Sequence, residues 1–458
     1  MRRRTLKDKG QALIVFLGFA AAMVGLLLVA FNSGQVTNAK MRAMNAADAA
    51  AYSGAVWEAR TLNFQAYMNR AMVVNEVTIA QSVSLRSWVD YIARFVTNIN
   101  YITRFIPYAG TVTQAIQQVL SQVNTQVQNF LPLAEQGLRF INVGENVLQV
   151  TFNFTGPVAA DLATKVANLN GATVSHGGNL LLAKNAIDFL NFTKDYNKSS
   201  GRVGTDGRTR LREVTLNSRD GFTAERDWSM GLGWVFEIRK QGGTDLIDFD
   251  AWKGLDSAEL RTVYNPLKGD WTTKVPVGWG GAQAYNPNKV TKIGTHGQFN
   301  QWNDTDGRLA RNDANNNTYA KKLNNPFPNY RDLADLKGTT KPSFKLAYPI
   351  EVVIPNSSIP SANSAFNAKA VLPNGTTLEH DPNFPANAGV YAIATGCVSF
   401  ERPYRSDRVD GKTELPSLFS PYWRASLATD SRLTRTIVGA AKALPPIGAL
   451  LGGNSTCS

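Results

Sequence analysis

The alternation of apolar and polar positions divides the chain into stretches of different character. Gln11 to Phe31 runs 21 residues without a formal charge. As a helix it reaches about 30 Å, the thickness of a bilayer's hydrocarbon core. From Gly34 to about Arg94 there is no proline and a dense run of helix formers. Within that run Ala43, Ala47, Ala50 and Gly54 share one helical face and leave it almost without side-chain bulk. Small residues let helix axes approach closely, within one chain or between subunits. Larger apolar residues such as Leu62, Val73, Leu85 and Trp88 continue the pattern. Asn63, Asn69, Asn75 and Glu76 interrupt it as caps, interhelical hydrogen-bonding groups or solvated positions.

Pro107 and Gly110 predict the end of this helix. Shorter helices follow over 112–130, 133–150, 157–168 and 178–193, separated by Pro132, Gly156-Pro157 and the stretch NGATVSHGG. Residues 193–210 are polar and rich in Gly and Ser, which marks a linker. Beyond them, 234–240, 348–355, 367–373 and 389–401 read as strands among long irregular connections. The expected fold is a single N-terminal transmembrane helix continuing into an exported α-helical bundle, followed by an α+β, mostly antiparallel, C-terminal domain. In sequence order this gives a basic tip (1–10), a span (11–31), a long helix and bundle (32–192), a linker (193–210) and a strand-rich domain (211–458).

Charge fixes the direction of the span. The net charge is +13, and Arg2, Arg3, Arg4, Lys7 and Lys9 cluster before the apolar run. Basic residues stay on the cytoplasmic side, so everything after Phe31 is exported. The apolar run exceeds the usual signal-peptide core and is followed by NSGQVTNAK, which has no A-x-A site, so a retained anchor is expected over a cleaved signal. A second span is not expected: Ile437–Leu451 is short, carries Lys442 and is broken by Pro445-Pro446. No basic run of five or six occurs outside the N-terminus, which argues against a nucleic-acid partner.

The two cysteines, Cys397 and Cys457, lie on the exported side and are expected to pair rather than remain as two thiols. Such a bond would tie the last residues to the body by closing a loop of about 60 residues. His176, His296 and His380 stand apart, each without a partner at metal-ligand spacing. The string NDTDGRLARND offers Asp304, Asp306 and Asp313 like the start of a calcium loop. The twelfth position from Asp304 is Asn315, however, where the loop needs an acid, so a polar turn is expected instead. The Trp279-Gly280-Gly281 turn and Trp302 belong either to a binding surface or, more commonly, to core. No nucleophile elbow, phosphate-binding loop or zinc-protease motif occurs, so neither a cofactor nor a small-molecule substrate is expected.

The order KGQALIVF, a single span, then NSGQVTNAKMRAMNAADAAAYSGAVWEARTLNFQAYMNRAM resembles the N-terminal region of TadE/TadG-like proteins of bacterial Flp (tight-adherence) pilus assembly. The resemblance is good over about the first 90 residues and patchy beyond. It implies a non-enzymatic, pilin-like component of a type IV-related pilus or secretion apparatus, held in the inner membrane. Its implied partners are other pilus-assembly or pilin-like proteins, including copies of itself. Processed pilin-like members are cut after a Gly, with a Glu five residues on. A cut between Gly10 and Gln11 would put Val15 in that place, so an uncleaved anchor is expected. The D-x-S-x-S metal site of some TadG-type members is missing from the sequence. A surface-displayed adhesin or ligand-binding module on the same anchor is the alternative.

Overall fold

The structure, a computed structural model, describes residues 11–103, 109–154, 156–199, 204–249, 251–285, 305–316, 318–319, 327–334, 344–360, 370–371, 377–378, 389–401 and 416–429. In chain order the elements open with helices α1 (Gln11–Thr103), α2 (Ala109–Asn153) and α3 (Gly156–Leu169), strand β1 (Thr173–Val174), helix α4 (His176–Phe192) and strand β2 (Thr193–Tyr196). Helices α5 (Thr209–Asn217) and α6 (Gly221–Ala224) precede strands β3 (Trp228–Leu232), β4 (Phe236–Ile247), β5 (Ala251–Asn265) and β6 (Asp270–Tyr285). Helix α7 (Thr305–Asn316) is followed by β7 (Thr318–Tyr319), β8 (Tyr330–Leu333), β9 (Lys345–Pro355), β10 (Ala370–Val371), β11 (Thr377–Leu378), β12 (Gly389–Phe400) and β13 (Trp423–Ala428). A long apolar N-terminal helix, further helices and antiparallel sheets towards the C-terminus are thus present, as expected.

Helix α1 is continuous to Thr103, within the bound that Pro107 and Gly110 set in the sequence. One helix differs in extent from the sequence reading. Helix α2 runs through Pro132 rather than breaking there. Proline removes one backbone donor and crowds the carbonyl four residues back, at a cost of about 3 kcal/mol. Burial of Leu131 and the hydrogen bonds that α2 makes with α1 on both sides of Pro132, from Gln117 and Gln149, offset that cost.

The chain gathers into two compact units: one of residues 1–64, 152–194 and 333–458, the other of 65–151 and 195–332. The sequence-order boundaries at 192 and 211 do not coincide with these units, because helical segments cover strands distant in sequence. In the first unit, β1, β9, β12 and β13 form an antiparallel sheet in the order β1-β9-β12-β13. Alternate residues of β9 (Leu346, Tyr348, Ile350, Val352, Ile354) enter one core with the alanines of α1 and α3. Strand periodicity puts the intervening Ala347 on the opposite face, where it packs with Cys397. Ser175 caps α4 by accepting from the Gly178 N–H at 2.9 Å. Asn63 clamps the edge strand: its side chain donates to the Trp423 carbonyl at 2.9 Å and accepts from the Trp423 N–H at 3.0 Å.

In the second unit β3 to β6 form an antiparallel meander, with β7 added parallel to β6. The Trp279-Gly280-Gly281 stretch lies inside β6 rather than in a turn. Neighbouring strand residues face opposite sides. A Cβ on Gly280 would lie 2.2 Å from the Ser87 carbonyl of α1, and one on Gly281 would lie 2.1 Å from the Ala310 carbonyl of α7. The paired glycines therefore admit a helix backbone on each face. Helix α2 runs antiparallel to the second half of α1 through polar contacts: Gln117 donates to Thr97 (3.1 Å), Asn75 to Asn142 (2.9 Å) and Gln149 to the Gln65 carbonyl (3.1 Å).

Candidate membrane anchor and packing faces

From Ala12 to Phe31 no residue of α1 is buried, and Leu13, Ile14, Phe16, Phe19, Leu26 and Leu27 are all well exposed. By length and composition this is the one helix among the described residues that could cross a membrane. The pattern changes at Asn32, which is 5% exposed, and burial then recurs on one face through Val36, Ala39 and Ala43. A rod apolar all round gives way to a helix with one inner side, a pattern consistent with a membrane anchor that runs into packed protein. Val15 is exposed on the apolar rod. Arg2, Arg3, Arg4, Lys7, Lys9 and Gly10 lie outside the described residues, and Gln11 opens α1.

Ala43, Ala47 and Ala50 are fully buried. Of the two expected uses of this face, packing within the chain is the one present in the structure: it lies in a core shared with the chain's own sheet and with helix α3. The sheet replies in kind. A Cβ on Gly54 would lie 2.1 Å from the Tyr348 ring, and a Cβ on Gly396 would lie 2.4 Å from the Ala51 carbonyl. Tyr348 and Gly396 are register partners on β9 and β12. One large side chain entering the helix groove and one missing side chain beside it let helix and sheet approach. Alanines Ala159, Ala163 and Ala167 of α3 complete the same core.

Charged groups sit beside that contact. Lys184 and Asp188 of α4 pair at 2.8 Å with both side chains buried. Glu58 of α1 is buried, and loss of solvent first, then the negative charge of Asp188, pushes its carboxyl well above the usual range. In the second unit Asp256 collects Arg226 (2.9 Å), Lys240 (2.6 Å) and the Ser87 hydroxyl (2.6 Å) in a fully buried network. Glu76 accepts from the Trp252 indole N–H at 2.9 Å and from Asn142 at 2.9 Å. Apart from Glu58, whose Oε2 is buried without a hydrogen-bond partner among the described residues, these groups are matched to one another inside packed layers, which is how structural ion pairs look.

The remaining sequence candidates are distributed differently. Cys397 is buried on β12, and Cys457 lies outside the described residues. The segment with calcium-loop spacing folds as helix α7 from Thr305, with Asp313 paired to Arg94 and Asn315 accepting from Lys253 at 2.9 Å. The helix replaces both the loop and the polar turn, because its buried Ala310 and Ala314 pack on Leu255 and Trp279. Trp279 also carries the Arg94 guanidinium 5.5 Å from its ring centre, so it is a packing residue. His176 is exposed at the start of α4, while His296, His380, Asp304 and Trp302 lie outside the described residues. Among the described residues, no three His, Cys, Asp or Glu side chains gather as a metal-binding group.

Two surfaces were not foreseen. The β3–β4 and β5–β6 turns meet in an apolar tip, where Val263 N–H donates to the Val235 carbonyl at 3.0 Å. Leu232, Trp234, Val235 and Val263 are exposed there, and Leu267 is 97% exposed. Val263 holds a positive φ of 54°, which a β-branched residue rarely adopts. The other surface is the outward side of α2, which carries exposed apolar residues among uncharged polar ones while its buried side is largely polar.

Residues 10–57 match the Tad family model, described as Flp pilus-assembly TadE/G-like. No curated protein and no solved structure matches the chain. The matched stretch takes in the apolar rod, the change of exposure at Asn32 and the buried small-residue face. The N-terminal part of α1 is therefore similar to the TadE/G-like segment of Flp pilus-assembly proteins, the family that its sequence resembles.

Proposed function

We propose that the protein is a non-enzymatic, membrane-anchored component of a Flp/Tad-type, type IV-related pilus assembly or secretion apparatus. Residues 11–31 stay in the bacterial inner membrane, the basic tip remains in the cytoplasm and the rest is exported. The small-residue face of α1 fixes the anchor to the exported sheet, so force on the rod is passed to the body through packed backbone. Cys397 and Cys457 form a disulfide that ties down the C-terminal residues. The observation carrying this reading is the family match over the same residues in which α1 changes from all-round exposure to one-sided burial. Restoration of pilus biogenesis in a strain lacking the chain tests it. The full chain should restore it, and a version with residues 1–31 replaced by a cleavable signal should not. Equal restoration by both would refute the anchored role.

The apolar β-hairpin tip favours a second reading, a displayed adhesin or ligand-binding module on the same anchor. Residues 211–458 do not make up either compact unit, so the whole exported chain is the right probe. Binding to cells, glycans or matrix that is lost in Trp234→Ser with Leu267→Ser would favour this reading. Indifference to those surfaces would favour scaffolding.

A further inference from the structure

Helix α2 is amphipathic in the inverted sense. Its buried positions are Leu131 and the polar Glu135, Arg139, Asn142, Gln149 and Asn153, whereas Ile116, Val119, Val123, Phe130, Ile141 and Leu148 are exposed. These exposed residues recur at steps of three, four, seven or eleven and so form one stripe along the helix. A helix that hid its polar side and wetted its apolar side would be poorly stabilised on its own. We propose that the outward stripe of α2 is the docking face for α2 of a second copy of this chain.

Three observations select a second copy over other occupants. Between Ala109 and Phe154 only Glu135, Arg139 and Glu145 carry charge, and all three are buried or half-buried. Two identical faces can therefore meet without like-charge repulsion, and a charged partner finds no complement. A helix lying on lipid would be flanked by Lys and Arg on its polar side, whereas this one is flanked by Gln, Asn, Ser and Thr. Gly137 and Gly144 lie on the stripe with no other atoms within 4 Å of a Cβ built on them, leaving notches that the bulky stripe residues of an identical helix can fill.

Area sets the strength. The stripe from Ile116 to Leu148 is about 50 Å long, and at one helix width it covers about 500 Å² per copy. That falls short of the roughly 800 Å² per partner of a stable interface. The contact is weak in dilute solution and is raised by confining copies to one membrane, so its strength rests on the anchored reading above. Copies anchored in the same membrane point the same way, and a two-fold axis between them brings each stripe residue close to its own counterpart.

The test is oxidative crosslinking of the full chain in native membranes. Cysteines introduced one at a time, Val119→Cys and Ile141→Cys on the stripe, are compared with Gln118→Cys, whose helical neighbours Gln114, Ser121 and Gln122 make a polar flank. Recovery in the membrane pellet checks anchoring separately. The stripe positions should give a disulfide-linked homodimer at least tenfold above the flank position. Adding Phe130→Lys, a change at an exposed site that should leave the unfolding midpoint unmoved, should abolish it. Membrane-bound protein with no homodimer, equal yields at all positions, yields indifferent to Phe130→Lys, or crosslinks only to another protein would each overturn the proposal.

Discussion

Gly54 of α1 and Tyr348 of β9 occupy one another's space: a Cβ on Gly54 would lie 2.1 Å from the tyrosine Cε1. Gly54→Ala must push the buried ring or the helix aside and should destabilise the first unit by about 1–3 kcal/mol. Removing the ring first changes the result. In the Tyr348→Ala background, the added methyl should cost far less, a non-additivity that chemical unfolding of the four combinations would measure. Additive effects would mean that the two residues do not share a contact.

Ala47→Leu and Ala50→Leu overfill a fully buried face and should each destabilise the fold by about 1–3 kcal/mol. Because the face is occupied by the chain's own sheet, lost assembly in these variants should be accompanied by lost stability. Protease protection of the exported chain reads this directly. Normal protection with failed assembly would restore an intersubunit role for the face.

The apolar rod and the alanine face were legible because each is a one-dimensional pattern in a single helix. Much of the second sheet was not. Strand β5 buries Lys253, Asp256 and Glu259 beside Trp252 and Leu255, so its core positions carry the residues that normally mark the surface. Their partners, such as Arg226 and Lys240, come from other elements and cannot be read from spacing. The continuation of α2 through Pro132 likewise depends on burial at Leu131 and on contacts with α1, a tertiary fact. The inverted polarity of α2 was missed for a related reason: periodicity finds an apolar face but not the direction in which it points.

Asp256 is the buried counter-ion of both Arg226 and Lys240. Asp256→Asn keeps the shape and leaves two buried cations without their negative partner, so a loss of about 3–5 kcal/mol is expected. Urea unfolding of the full chain would show it. A loss below about 1 kcal/mol would mean that the network contributes little.

Glu135 gives the stability a pH dependence. Neither carboxylate oxygen has a hydrogen-bond partner among the described residues, and burial raises its pKa to about 8 despite the nearby Arg139. The folded state holds a proton that the unfolded state releases near pH 4.3, so stability falls as pH rises towards 8. Between pH 6 and 8.5 the loss should be on the order of 2 kcal/mol. Glu135→Gln should flatten that slope in unfolding measured at the two pH values. An unchanged slope would place the titration elsewhere.

The direct test of the anchored role is the mass of the N-terminal peptide from protein that resists alkaline extraction of membranes. A peptide retaining the basic tip and the residues before Phe31 is the expected result. Protein found only in the soluble exported fraction, beginning after Phe31, would contradict it.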